Sequence, residues 1–347
     1  MKLLDSKKNV SLLTSGKLSK KKNYPLAVIL GCRGKKLLKK EGDFFSKINP
    51  LGFILFKRNC QNPKQIRQLT KDLKSTLNRD NVAILIDQEG GRVNRLPASW
   101  SKRASSQGNM GEIYKKDPQA AKKLTYDRAI DIASDLAKVG INTNCSPVLD
   151  LNFVSTDKII GDRSFGSDVD CIIDLGRETC RGFVDSGIIP VIKHIPGHGR
   201  AKCDSHINLP RVNIGISSLK KSDFRPFKEL NSVPLAMTAH VLFSKLDSTN
   251  PTTSSRKVIK EIIRQYINFQ GLLITDDISM GALTGSLEKR VEDSFNSGCD
   301  IVLHCNGILE EMKIIAKNAR TLEGKKYNKF NRLYGKHRIA NLKKMIF

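Results

Sequence analysis

Eight short apolar runs recur along this chain, and each leads into a polar, titratable segment. The runs are PLAVILG (25–31), GFILF (52–56), VAILID (82–87), INTNCS (141–146), IIPVIK (188–193), PLAMT (234–238), GLLIT (271–275) and DIVLH (300–304). Amphipathic stretches at 63–77, 120–139 and 254–266 lie between them. Strands alternating with helices imply a parallel sheet with right-handed crossovers. Eight such units over about 290 residues fit an α/β fold of the (β/α)8 barrel type better than an open sheet. No G-x-G-x-x-G follows the first run, which argues against a dinucleotide-binding fold.

In a barrel, the loops after the strands converge on one face, so the residues there are the chemical candidates. Run three leads into DQEGGRVNRL, with Asp87, Arg92 and Arg95. A carboxylate there can hold vicinal hydroxyls and an arginine can grip an oxygen with two bonds; Glu89 stands as an alternative. A structural ion pair at the rim is the competing reading, and it applies equally to Arg163 in GDRSFG. Run five leads into KHIPGHGRAKCDSH, residues 193–206, which holds three of the six histidines. Lys193 and His194 suit hydrogen bonding to a polar ligand, though a strand-end lysine also commonly reaches out to solvent. Asp204 and His206 form an imidazole with a carboxylate two residues away, the arrangement of a tuned acid/base. His198 lies between glycines and reads as a loop brace, and His240 after run six reads equally as core, rim or functional. Run seven ends in Asp276 and Asp277. Adjacent carboxylates on an extended backbone point apart, so one can face the mouth while the other caps the next helix. Spacing leaves open which does which. Neither H-E-x-x-H nor a His-x-His after the first run is present, so no metal or other cofactor is expected.

The net charge of +26 raises the question of an anionic partner. Its distribution weakens a specific nucleic-acid role. Residues 1–24 hold seven Lys against one Asp, and residues 312–347 hold eleven Lys or Arg against one Glu. The ends therefore carry +6 and +10, and the body is only mildly basic. The expected organisation is a disordered basic extension at 1–24, then a barrel over 25–347 whose last part, 312–347, is a basic segment. A weak polyanion or membrane-surface role for these ends stays open. No run approaches the length needed to span a bilayer, and the N-terminal stretch lacks an apolar signal core. Eight cysteines without a C-x-x-C pair read as buried thiols of a reducing compartment, with the cytoplasm as the default.

Taken together, ILFKRN, DQEGGRVNRL, SPVLDL, IIGDRSFG, KHIPGHGRAKCDSH, MTAHV, ITDDISMGAL and SGCDIVLHCN, in this order over roughly residues 25–310, resemble the family 3 glycoside hydrolases. The likeness is to their bacterial single-domain β-N-acetylglucosaminidase branch, which serves peptidoglycan recycling. The resemblance implies Asp276 as nucleophile, His206 paired with Asp204 as acid/base, and Asp87, Arg95, Arg163, Lys193 and His194 as the residues that bind a terminal N-acetylglucosamine. It implies retention through a glycosyl-enzyme on a muropeptide fragment, GlcNAc-1,6-anhydro-MurNAc with or without peptide, by a monomer without metal. A family 3 β-glucosidase, a GlcNAc phosphorylase and a noncatalytic sugar- or polyanion-binding barrel are the alternatives. One departure is SHINLP, where the family more often carries a charged residue at the place of Ile207 or Asn208.

Overall fold

The computed structural model describes residues 24–101, 104–153, 159–201, 204–205, 208–336, 340, 342 and 344. The expected basic extension at 1–24 therefore lies outside the described residues except for Tyr24. The barrel strands are β1 (Leu26–Gly31), β2 (Pro50–Leu55), β3 (Ala83–Ile86), β4 (Thr143–Asn144), β5 (Ile189–Ile195), β6 (Leu235–Thr238), β7 (Leu272–Asp277) and β8 (Ile301–His304). All are parallel, each pairs with its neighbour in sequence, and β1 pairs with β8 to close the barrel. This is the (β/α)8 barrel that the alternation of runs implies. The strands are buried along almost their whole length, because helices cover the outside and side chains fill the inside. That is why they read as continuous apolar runs and not as alternating ones.

The fourth strand is shorter than its run. Regular strand covers only Thr143 and Asn144, although Asn142 N and Cys145 N still donate to the Ile84 and Ile86 carbonyls of β3, and two asparagine side chains add bonds to the same neighbour. Asn142 accepts from the Ile84 amide at 2.8 Å and donates to the Val82 carbonyl at 2.8 Å. Asn144 does the same with the amide and carbonyl of Gln88, at 3.0 and 2.9 Å. Close strand packing also decides one glycine. A Cβ on Gly52 would lie 2.1 Å from the Ala83 carbonyl oxygen, so β2 and β3 approach only because that atom is missing.

The two ends of the barrel differ. At the floor, where strands begin, the helix Gly324–Tyr334 turns Phe330, Leu333 and Tyr334 inward. The Tyr334 hydroxyl reaches Thr143 Oγ1 at 2.8 Å, inside the barrel. At the mouth, where strands end, polar side chains from five loops meet. Among the described residues no helix is long and apolar enough to cross a membrane.

Candidate active site

Strand five delivers Lys193 to the inside of the mouth. A lone ammonium there would be costly, and the structure answers with two carboxylates. Lys193 Nζ lies 2.8 Å from Asp87 Oδ1 and 2.6 Å from Glu89 Oε1. Arg163 closes on Glu89 with both arms, Nε to Oε2 and Nη2 to Oε1, each at 2.8 Å. Arg95 approaches the other oxygen of Asp87 at 3.7 Å and lies over the Phe56 ring. Burial pushes Glu89 up, but Arg163 and Lys193 outweigh it and hold the carboxyl well below the usual range. Burial pushes Lys193 down, and Asp87 and Glu89 reverse that. Glu89, Lys193 and Arg163 are therefore charged at neutral pH. The solvent-reaching alternative for Lys193 does not hold, since the residue is 2 % exposed.

His194 follows on the same strand end. Its Nδ1 lies 2.6 Å from Asp150 Oδ2. Asp150 also accepts the His194 amide at 3.2 Å and the His198 amide at 2.7 Å. Burial raises the Asp150 carboxyl, but His194 and these donors outweigh it and keep it ionised. A carboxylate at Nδ1 holds the proton on that nitrogen, so Nε2 is the atom turned to the cavity. It stands 3.9 Å from Asp276 Oδ2, outside hydrogen-bond reach. Asp150 is not legible in the sequence as a site residue. In SPVLDL it reads as a loop carboxylate, and its work depends on backbone amides more than forty residues away.

The two aspartates ending β7 separate as adjacent positions on a strand should. Asp277 accepts from Ser279 N and Oγ at 3.1 and 2.8 Å and from Cys305 N at 3.2 Å, so it holds the turn after the strand. Asp276 takes the amide of Asp277 on Oδ1 at 2.8 Å. Burial raises the Asp276 carboxyl, but His194, His240 and that amide outweigh it and hold the acid below its ordinary value. His240 is buried under the pair, bonded to the Asp277 carbonyl at 3.0 Å and to Thr253 Oγ1 at 2.7 Å.

His206 lies outside the described residues. Its neighbours Asp204 and Ser205 are described, and Ser205 is buried. Ser205 Oγ lies 3.1 Å from His198 Nε2, and its carbonyl accepts from the Ala282 amide in the loop after β7 at 3.1 Å. His198 thus braces the loop, as its glycine neighbours suggest. Gly199 makes the loop's close approach possible, since a Cβ there would lie 1.9 Å from the Leu151 carbonyl oxygen. Burial and the nearby His194 push His198 down to about 4, so its ring is neutral. Arg92 lines the site but bonds to Asp162 at 2.8 Å and to the Ile159 carbonyl at 2.7 Å, stitching one loop to the next.

Asp87, Glu89, Arg95, Arg163, Lys193, His194 and Asp276 line one cavity of about 240 Å³, walled by Phe56, Met237, Met280 and Leu303. A cavity of this volume suits one small ring. Among the described residues no group of three or more His, Cys, Asp or Glu is placed to hold a metal ion. A polar floor with an ionised carboxylate and apolar walls suits recognition of a hydroxylated ring and attack on one of its carbons.

Comparison with known proteins agrees with the fold and narrows the chemistry. Residues 31–333 match the glycosyl hydrolase family 3 N-terminal domain. A β-hexosaminidase of Alkalilimnicola ehrlichii is 36% identical over 283 residues, 80% of this chain and 80% of that protein. A β-hexosaminidase of Neisseria meningitidis is 36% identical over 260 residues, 74% of this chain and 71% of that one. Among solved structures, NagZ from Neisseria gonorrhoeae in complex with N-trifluoroacetyl-D-glucosamine superposes with a TM-score of 0.81. It is 27% identical, over 93% of this chain and 97% of that one.

Proposed function

Because the chain belongs to glycosyl hydrolase family 3, we propose that it is an exo-acting, retaining β-N-acetylhexosaminidase that removes terminal β-linked N-acetylglucosamine from muropeptide fragments. The observation that carries this reading is Asp276, ionised at the base of a cavity the size of one sugar ring. In this reading Asp276 attacks the anomeric carbon and forms the glycosyl-enzyme, while water later releases the sugar with net retention. His206, oriented by Asp204, gives its proton to the leaving oxygen and then takes one from water. Ser205 lines the cavity, which supports a loop able to present its next residue to the leaving group.

Asp87, Arg95, Arg163, Lys193 and His194 hold the ring in this reading, with one refinement from the geometry. Lys193 and Arg163 already neutralise Glu89, so their sugar contacts come from remaining donor positions, and the three act as one rigid unit. His194 presents Nε2 to a hydroxyl while Asp150 holds its opposite nitrogen. The cavity's size favours cutting at chain ends over cutting inside a polymer. Buried, unpaired thiols at Cys32, Cys60, Cys145, Cys171, Cys180 and Cys299 support work in a reducing compartment, for which we propose the cytoplasm, as a monomer.

The test is a panel of aryl glycosides of N-acetylglucosamine and glucose, each with and without phosphate, beside GlcNAc-1,6-anhydro-MurNAc. Hydrolysis of the N-acetylglucosamine compounds with retention, and a fluorinated-sugar adduct on the peptide carrying Asp276, is the expected outcome. A preference for glucosides, a sugar-1-phosphate product, or an adduct elsewhere would overturn it.

A further inference from the structure

Strand β7 carries Asp276 past the point where its backbone is held on both sides. Towards β6, the paired positions end at Met237 with Ile274, short of the two aspartates. Towards β8, pairing continues to Leu303 with Asp277. The end of β6 stays with β5 instead, because the Ala239 amide donates to the Ile195 carbonyl at 2.9 Å. A side chain bridges the gap that this leaves. His240 Nε2 lies 3.0 Å from the Asp277 carbonyl oxygen.

The direction of each hydrogen bond in this link is fixed. A carbonyl oxygen only accepts, so Nε2 carries the proton. Burial pushes the imidazole down and outweighs the pull of Asp276 and Asp277, so the ring is neutral and Nδ1 accepts. Its donor is Thr253 Oγ1 at 2.7 Å. Having given its proton to the ring, Thr253 Oγ1 accepts one from Thr238 Oγ1 at 2.8 Å. The Thr253 carbonyl is held in turn by Ser297 Oγ at 2.6 Å, at the end of helix Leu287–Ser297. Thr238, His240 and Thr253 are fully buried, and none of them lines the cavity. Asp277 is thereby fixed at three points. Its carboxylate takes Ser279 and the Cys305 amide, its carbonyl takes His240, and its amide sits on Asp276 Oδ1 at 2.8 Å.

On the reading of Asp276 as nucleophile, we propose that His240 is a positioning residue that aims it. By holding the Asp277 carbonyl, His240 fixes the amide that occupies Asp276 Oδ1 and leaves Oδ2 for the anomeric carbon. Oδ2 is the oxygen on the side of His194 Nε2, 3.9 Å away, so the attacking atom and a ring-binding nitrogen look into the same space. Without the link, residue 277 can rotate, its amide leaves Oδ1, and the carboxylate loses its fixed direction. A misplacement of about 1 Å costs about 100-fold in rate. Asp87, Glu89, Arg163 and Lys193 come from β5 and the loops after β3 and β4. The link therefore sets the rate of attack and leaves sugar affinity alone.

The test follows covalent trapping of the full-length protein by a fluorinated N-acetylglucosamine with an activated leaving group, read by mass spectrometry of the peptide that carries Asp276. Trapping reports attack, and competition by free N-acetylglucosamine reports sugar binding. In His240→Leu, trapping should slow by at least about tenfold while affinity for N-acetylglucosamine stays within about twofold. His240→Gln, which returns an N–H donor at similar reach, should recover most of the rate. Thr253→Val removes the donor to Nδ1 and should fall between the parent and His240→Leu; it decides the matter if the leucine variant does not fold. Trapping of either folded variant at the parent rate would overturn the proposal. So would a glutamine variant no faster than leucine, which would make the ring a packing piece. An affinity loss as large as the loss of rate would also overturn it, since His240 would then serve sugar recognition. A parent adduct on a residue other than Asp276 would remove the nucleophile assignment itself, and the aiming role with it.

Discussion

The mouth and the floor of this barrel solve the same problem, filling the end of a strand cylinder, in opposite ways. The floor is closed by apolar side chains, with Phe330 and Leu333 buried and the lysines of that helix outside. The mouth is filled with charges that neutralise one another: Glu89 between Lys193 and Arg163, and Asp150 between His194 and two amides. Replacing buried ion pairs by apolar groups is often neutral or stabilising. A cluster of this kind is therefore weak evidence for stability and stronger evidence for a site that must keep a carboxylate ionised. The contrast assigns chemistry to one end and folding to the other, and substitutions can separate them.

The largest effect should come from Asp276→Ala at the mouth. Turnover of an aryl N-acetylglucosaminide should fall by about 10⁴-fold or more, while the denaturation midpoint stays near that of the parent. Activity within tenfold would remove Asp276 as nucleophile. Glu89→Ala should damage both properties, because Lys193 and Arg163 are left as buried cations without their shared partner. A loss of about 3 to 5 kcal/mol in urea unfolding is expected, with weaker sugar binding. An unchanged midpoint would mean the cluster is solvated and the two ends are less different than described. Phe330→Ala at the floor should cost about 3 kcal/mol of stability through the cavity it leaves. In the folded fraction, kcat and KM should be unaltered, and a changed KM would couple the ends.

The smallest effect is a pH slope. His198 is held at about 4 in the native protein, because burial and then His194 disfavour the imidazolium. An unfolded histidine titrates near 6.5. The native state is thus favoured above pH 6.5, and this contribution is lost as pH falls from 6.5 to 4, by up to about 3 kcal/mol. His198→Asn should flatten the decline in stability between pH 6.5 and 5, a window above carboxylate titration. An equally steep decline in the variant would mean His198 is solvated.

Fold and site were legible to different depths. Strands buried on both faces need unbroken apolar sequence, so eight runs point directly to eight strands, and polar segments after them point to the mouth. The ends of β4 were not legible, since nothing in INTNCS announces that asparagine side chains add their own bonds to the backbone ladder. At the mouth, the Asp276–Asp277 pair shows that two carboxylates part, but only the neighbours of Asp277 decide which one holds the turn. Lys193 shows the limit most plainly. Its burial depends on Asp87 and Glu89, about a hundred positions away, and no local pattern carries that information.

The side-chain amides that complete β4 give the barrel a chemical age. If Asn144 loses its amide nitrogen to hydrolysis, a carboxylate oxygen replaces the donor that now faces the Gln88 carbonyl at 2.9 Å. Two acceptors would then meet where one stave is joined to the next, one residue beyond the carboxylate Asp87. A one-dalton gain at this residue in stored protein would mark molecules whose mouth is opening along that seam.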